Sequence, residues 1–93
     1  MRRVLIPSSV FLKQARRLAS RKPDAADALE ECLLLLEADA FDPRLRTHKL
    51  KGKLRLSWAC SAGYDLRVVF QFVQQAGQEA ILLQAVGTHD EVY

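Results

Sequence analysis

The sequence predicts an α+β fold in which an N-terminal strand and a hairpin of two helices precede a curled antiparallel sheet. The first half of the chain has apolar residues at the three- and four-residue spacing of amphipathic helices, and the second half alternates every two residues, as strands do. Turn residues divide that second half into consecutive strands. The 93 residues suffice for one core, so we expect residues 1–93 to form a single domain.

The N-terminal segment predicts a strand followed by a helix. Val4 to Ile6 is a short aliphatic run that Pro7 stops, and Ser8 or Ser9 can cap a helix by accepting a bond from an unpaired backbone amide. The helix is expected to end near Lys22. Its predicted buried stripe comprises Val10, Phe11, Ala15, Leu18 and Ala19.

A second helix is predicted to start at Pro23, a residue that suits the first helical turn. Asp24 and Asp27 place negative charge near the positive end of its dipole. Its predicted buried side comprises Ala25, Ala28, Leu29, Cys32, Leu33 and Leu36. Because almost no linker separates the two helices, they should form a hairpin.

Beyond Asp39 the pattern changes to that of strands. From Thr47 to Leu56 the chain is predicted to be extended, with one apolar and one cationic face and a bend at Gly52. The cationic face would comprise Lys49, Lys51, Lys53 and Arg55. Turns at Ala62-Gly63 and around Gly77 separate three further predicted strands, which are Leu54–Ser61, Tyr64–Gln74 and Ala80–Val86. Tight turns favour an antiparallel meander with the helices packed on one face.

Charge is segregated along the chain, although the net charge is only +3. Residues 24–42 contain seven acidic and no basic side chains, and residues 44–55 contain six basic and no acidic ones. A one-sided basic surface attracts a polyanion such as RNA. The alternative interpretation is a solvated edge strand whose lysines prevent sheet-to-sheet aggregation.

Other features exclude several classes of protein. The longest apolar run, Cys32 to Leu36, is far shorter than the roughly 20 residues that cross a bilayer, so we expect a cytoplasmic protein with no membrane partner. Cys32 and Cys60 lack the spacing of metal or redox pairs and are expected to be reduced core residues. Two histidines without a clustered third ligand do not define a zinc site, and no metal or other cofactor is expected.

Four polar residues and one tryptophan are candidates for catalysis or for binding RNA. Asp65 and Arg67 should share one face of their strand, where they form either a surface ion pair or a phosphate site built on the arginine fork. Imidazole is the side chain suited to proton transfer at neutral pH, so His48 and His89 are each either a general acid or base or an idle loop histidine. Trp58 is either a packing residue or a platform for a base.

Three segments of the chain carry a family resemblance. They are Thr47–Gly52 (THKLKG), Gly63–Phe70 (GYDLRVVF) and Gly87–Tyr93 (GTHDEVY). In this order and strand context the chain resembles the RelE/ParE toxin superfamily over essentially its whole length, nearest to the YafQ-like and RelE/StbE-type mRNA interferases. The fold implied is the RelE-like toxin fold.

The resemblance implies a toxin of a type II toxin–antitoxin system that cuts messenger RNA on the ribosome without a metal. The RNA 2′-hydroxyl attacks the adjacent phosphate and leaves a cyclic phosphate and a free 5′-hydroxyl. The implied partners are a cognate antitoxin in a hetero-oligomer, the mRNA and the ribosome. An acidic antitoxin segment would cover the cationic surface.

The resemblance also implies roles for individual residues. His48 and His89 would act as general base and general acid in an order that stays open, and Asp65 would orient a histidine. Arg67 would contact a phosphate, and Tyr93 would stack on a base or fix the orientation of the nucleotide. The residues expected to contact the RNA backbone are Lys49, Lys51, Lys53 and Arg55.

One departure from the family pattern keeps other functions open. Ser61 stands where YafQ-like members have a further histidine, so the division of labour among proton carriers is unsettled. The alternatives are a ParE-like gyrase inhibitor of the same fold, in which the histidines are dispensable, and a non-catalytic RNA-binding module.

Overall fold

The computed structural model describes residues 1–93 and confirms the predicted order of strand, helix hairpin and sheet. The elements are β1 (Val4–Pro7), α1 (Ser9–Arg21), α2 (Pro23–Ala38), β2 (His48–Lys49), β3 (Trp58–Ala62), β4 (Leu66–Gln75), β5 (Gln78–Thr88) and α3 (His89–Val92). Short 3-10 turns occupy Pro43–Leu45 and Gly52–Leu54. No helix has the length and apolar character that crossing a membrane requires.

The sheet has five strands in the order β1-β5-β4-β3-β2. Neighbouring strands from β2 to β5 are antiparallel, so the predicted meander is confirmed. β1 pairs with β5 in parallel, with Val4 opposite Ala80. The sheet is therefore mixed, with β4 at its centre between β5 and β3.

The helix hairpin forms as predicted at its two starting points. Ser8 caps α1, because its Oγ accepts a hydrogen bond of 3.0 Å from the Phe11 amide. Pro23 begins α2. The predicted stripe of α1 is wrong at both ends, since Val10 is 54% exposed and Ala19 is also exposed. The helix contacts the core through Phe11, Ala15 and Leu18, whereas Val10 and Ala19 lie outside it.

The core lies between the helices and one face of the sheet. It is a cluster of 14 buried residues. Leu66, Val68 and Phe70 of β4 belong to it, as their alternation predicts, and Cys32 and Cys60 are both buried and free. The two Sγ atoms are 3.7 Å apart. Trp58 packs at the edge of this core with Phe41 and Phe72, which confirms its packing role.

A β-bulge in β5 allows the core face to continue. Leu83 pairs with Phe70 and Ala85 pairs with Val69, so Gln84 between them has no partner on β4. Residues three apart on a regular strand point to opposite faces. Because of the bulge, Leu83 and Val86 both lie in the core.

The predicted extended segment from Thr47 to Leu56 is wrong. Only His48 and Lys49 form a strand, and Gly52 has a φ of +69°, in the left-handed region. The Leu50 amide still donates to the Ser57 carbonyl at 3.0 Å, but the Arg55 amide donates to the Gly52 carbonyl at 3.2 Å, so beyond Leu50 the backbone bonds are local and no ladder forms. Leu56 is 71% exposed. The four cationic side chains accordingly do not share one strand face.

Candidate functional site

The sheet face opposite the helices brings together side chains from four strands. Strand pairing places His48, Ala59, Val69 and Ala85 in one row, and Ser61, Arg67 and Gly87 in the next row. Paired residues of adjacent strands project to the same side of a sheet. His48 and Arg67 therefore share a face, and the alternation of β4 places Arg67 there as predicted.

Arg67 lies at the centre of this face and has no acidic partner. It is half-buried, and its Nη1 donates to the carbonyl of Leu66 at 2.9 Å. The predicted ion pair with Asp65 does not form, because none of the ion pairs of the chain includes either residue. Asp65 lies in the exposed turn before β4. It forms no hydrogen bond to His48 or His89, so its orienting role stays a prediction.

Asp65 and Arg67 nevertheless line one cavity of about 590 Å³. We call it the arginine cavity, and its lining residues are Arg44, Arg46, Ser61, Gly63, Tyr64, Asp65 and Arg67. Sequence reasoning missed Arg44, Arg46 and Tyr64. The signal for the two arginines was the basic run that starts at Arg44, because the alternating pattern of lysines and leucines begins only at Lys49.

The arginines of this cavity differ in how far they are neutralised. Arg44 Nη2 lies 2.8 Å from Asp42 Oδ2, and this contact lowers the pKa of Asp42 to about 2. Arg46 has a left-handed φ of 54° and forms no ion pair. Arg46 and Arg67 therefore keep charge that an anion can use.

His48 is positioned by the backbone of Arg46. Its Nδ1 lies 3.0 Å from the Arg46 carbonyl oxygen, and its side chain is exposed. A carbonyl only accepts, so the neutral imidazole carries its proton on Nδ1. The Nε2 lone pair is then free to accept a proton, as a general base requires.

The C-terminal turn places a second imidazole beyond β5. The rings of His89 and Tyr93 contact edge to face, with centroids 4.5 Å apart. His89 Nδ1 is 3.5 Å from Asp90 Oδ1. His89 and Tyr93 therefore form one unit on α3.

One hydrogen bond and one close approach fix α3 against the end of β5. The Thr88 amide donates to Glu91 Oε1 at 2.8 Å, and this bond lowers the pKa of Glu91. A Cβ at Gly87 would lie 3.0 Å from Glu91 Oε1 and 3.2 Å from Val92 Cγ1. Glycine at this position thus permits the close approach of α3 to the sheet.

A second cavity joins α3 to the basic loop. It measures about 520 Å³, and its lining residues are Leu50, Lys51, Lys53, Leu54, Val92 and Tyr93. Burial raises the pKa of Tyr93, and the charge of Arg67 acts against this rise. Of the predicted RNA contacts, Lys51 and Lys53 come together with Tyr93, whereas Lys49 and Arg55 lie outside this cavity.

Ser57 anchors the basic loop to the sheet and was missed by sequence reasoning. Its Oγ donates to Gln84 Oε1 at 2.7 Å and lies 3.5 Å from Gln71 Nε2. Its carbonyl accepts from the Leu50 amide at 3.0 Å. The bulge residue Gln84 therefore holds Ser57, and Ser57 in turn holds Leu50, over the face that carries Arg67.

The two imidazoles lie on opposite sides of Arg67. His48 is on β2 and His89 follows β5, and three strand spacings correspond to about 14 Å. No hydrogen bond or ring contact joins them. No group of three or more histidine, cysteine, aspartate or glutamate side chains could hold a metal ion. The arrangement offers two proton carriers flanking one unpaired arginine.

Comparisons with known proteins identify the family. The family described as the bacterial toxin of type II toxin–antitoxin systems, YafQ, matches residues 3–93. A comparison with curated proteins found no significant match.

Solved structures have the same fold. A copper-bound mutant toxin from Helicobacter pylori is 26% identical, covers 97% of this chain and 98% of its own, and has a TM-score of 0.75. YafQ in the Escherichia coli DinJ–YafQ complex is 16% identical, covers 99% of this chain and 99% of its own, and has a TM-score of 0.77. The YoeB/ParE toxin from Agrobacterium tumefaciens is 10% identical, covers 92% of this chain and 98% of its own, and has a TM-score of 0.77.

These likenesses confirm the predicted RelE/ParE-type fold. The family match extends over nearly the whole chain, including the segments that carry His48, Arg67 and His89. This chain belongs to the YafQ family of toxins of type II toxin–antitoxin systems.

Proposed function

We propose that this toxin is a ribosome-dependent endoribonuclease that cuts messenger RNA without a metal. The observation that carries the proposal is the unpaired Arg67 on an open sheet face, with His48 on one side and His89 on the other. A phosphate is the group that a free guanidinium flanked by two proton carriers suits best.

In the proposed reaction, the scissile phosphate binds at Arg67. The 2′-hydroxyl gives its proton to Nε2 of His48, whose Nδ1 is occupied by the Arg46 carbonyl. The 2′-oxygen bonds to phosphorus as the bond from phosphorus to the 5′-oxygen breaks. His89 supplies the proton to the leaving oxygen, which yields a cyclic phosphate and a free 5′-hydroxyl.

The remaining residues would bind the strand. Tyr93 would stack on a base next to the scissile phosphate, since its ring is held by His89 and remains partly exposed. Lys51 and Lys53 would contact the backbone beside Tyr93, and Lys49 and Arg55 would contact more distant phosphates.

A cognate antitoxin would be the protein partner. The E. coli relative of the same fold has been solved in complex with DinJ. We infer that an acidic antitoxin segment covers the arginine cavity and basic loop of this chain, forming a hetero-oligomer that keeps the toxin from the cytoplasmic ribosome.

The test is cleavage of a defined message on purified ribosomes, mapped by primer extension. The wild type should give discrete cuts, and His48→Ala and His89→Ala should each reduce the rate about 100-fold or more, because general acid–base catalysis contributes roughly that factor. Lys13→Ala, an exposed cation on α1, serves as the control and should cut like the wild type.

Two results would contradict the proposal. Growth arrest by the wild type without any cuts would reject the nuclease, and cuts that persist in the His48→Ala/His89→Ala double variant would reject the mechanism in which the histidines transfer the protons. The first result would move the search to a protein target such as gyrase.

A further inference from the structure

Tyr64 is the most exposed of the large hydrophobic residues, at 98% of its full accessibility. It stands in the turn between β3 and β4, directly after Gly63. Gly63 has a φ of +64°, and a Cβ there would lie 3.2 Å from Ala28 Cβ of α2. The turn is thus packed closely on the helix hairpin, and Tyr64 projects from a fixed base.

The surroundings of Tyr64 are cationic and polar. Tyr64 is the one hydrophobic residue among the seven that line the arginine cavity. Three of the others are arginines, and Asp65 is the only acidic member. Arg46 and Arg67 lack an ion-pair partner, while Arg44 is held by Asp42. The cavity therefore has a net positive charge beside an uncovered aromatic ring.

This combination favours a nucleic-acid strand as the occupant. A single exposed tyrosine is common on protein surfaces and by itself carries no meaning. Protein interfaces also use tyrosine and arginine, but their centres are packed from apolar side chains, which this cavity lacks. Single-stranded nucleic acids are bound by cations that follow the backbone and by aromatic rings on which bases stack.

We propose that the arginine cavity is a nucleotide subsite that holds the RNA residue adjoining the scissile phosphate. The base stacks on Tyr64, and the phosphate of that nucleotide binds Arg46. Arg46 connects this subsite to the chemistry, because its carbonyl fixes the tautomer of His48 and its side chain lines the same cavity as Arg67. The proposal rests on the RNA-directed function proposed above.

Binding to a 2′-O-methyl oligouridylate tests the subsite, since this RNA cannot be cut. We would measure fluorescence anisotropy with the purified full chain. Tyr64→Leu keeps apolar bulk but removes the ring, and it should weaken binding about 5- to 100-fold. Tyr64→Phe keeps the ring and should bind within about twofold of the wild type.

Salt dependence tests the phosphate contact. Arg46→Ala should weaken binding and reduce the slope of log affinity against log salt by about 0.7, the value for one phosphate on a single strand. Arg16→Ala, an exposed arginine of α1, removes the same charge elsewhere and should leave binding unchanged. Equal weakening by Arg46→Ala and Arg16→Ala would reduce the effect to net charge and overturn the phosphate site.

The outcomes separate the subsite from the nuclease. If Tyr64→Leu binds RNA like the wild type while the wild type cuts messages, the subsite is rejected and the nuclease stands. If Tyr64→Leu loses binding but the wild type never cuts, the nuclease is rejected, and the cavity binds a nucleotide with no scissile phosphate beside it. Loss of antitoxin binding with unchanged RNA binding would assign Tyr64 to a protein interface instead.

Discussion

Ser57 determines where the basic loop lies, although nothing in its sequence context marks it. It is the buried polar residue of the chain, and its hydroxyl links the loop to the bulge residue Gln84. A buried hydroxyl requires a partner, and the partner's oxygen would lose its donor if the hydroxyl were removed.

Ser57→Ala is expected to lower the free energy of unfolding by about 1 kcal/mol, because Gln84 Oε1 is left without a donor. Urea denaturation measures this change. Ser20→Ala on the exposed face of α1 is the control and should stay within about 0.5 kcal/mol of the wild type. Identical unfolding midpoints for both variants would mean that the Ser57–Gln84 bond contributes nothing.

Residue alternation predicts the face of a strand better than its limits. It places Arg67 on the open face, because β4 is regular from Leu66 onward. It fails for Asp65, since the turn extends two residues further than Ala62-Gly63 indicates. The alternating pattern around Tyr64 and Asp65 is compatible with either a turn or a strand. The sequence next to them therefore could not show that they belong to the turn.

At the scale of elements, the basic segment shows why alternation alone does not make a strand. Its leucines and lysines alternate, but only β2 finds a partner, in β3. Past Leu50 the left-handed Gly52 turns the chain away, and local bonds replace the ladder. A strand needs a neighbouring strand and a layer to cover its apolar side, and a single sequence reveals neither.

The helix α3 should respond to acid through Glu91. Hydrogen bonds from Thr88 lower the pKa of Glu91 in the folded chain. The stabilisation that the Glu91 carboxylate gives to α3 is therefore complete at neutral pH and is lost as pH falls through that lowered pKa. The Thr88 amide resonance, followed by NMR, should shift through this acidic range as the bond to Glu91 breaks. The contact between His89 and Tyr93 should weaken with it.

Glu91→Gln supplies the matched control for this titration. Its amide oxygen still accepts a bond from the Thr88 amide but does not titrate in acid. The acid-dependent shift of Thr88 should therefore disappear in the variant. A shift of equal size in both proteins would assign the transition to another group.

At the scale of the whole molecule, β5 organises the fold. It pairs with β1 on one side and β4 on the other, α1 packs on it, and α3 follows it. An ion pair of 2.6 Å between Arg3 and Glu79 fastens its start to β1. Periodicity is a local signal, so the sequence predicts each of these strands but not the parallel pairing of the first with the last.

Hydrogen exchange should reveal this hierarchy. Amides of β5 and β4 that bond within the sheet should exchange slowest, because opening them disrupts the core, whereas β2 is a two-residue edge strand with exposed side chains. Mass spectrometry of deuterated peptides, corrected for intrinsic rates, measures the difference. Protection of β2 equal to that of β4 would contradict this ranking of the edge strand below the interior strands.

The parallel pairing of β1 with β5 also constrains how the toxin is made. Val4 is synthesised well before its partner Ala80. Until β5 leaves the ribosome, β1 has no strand to join and β4 lacks one of its two neighbours. A nascent chain therefore cannot assemble the surface around Arg67 early, and we predict that synthesis which stops before Gln78 yields a product without toxicity.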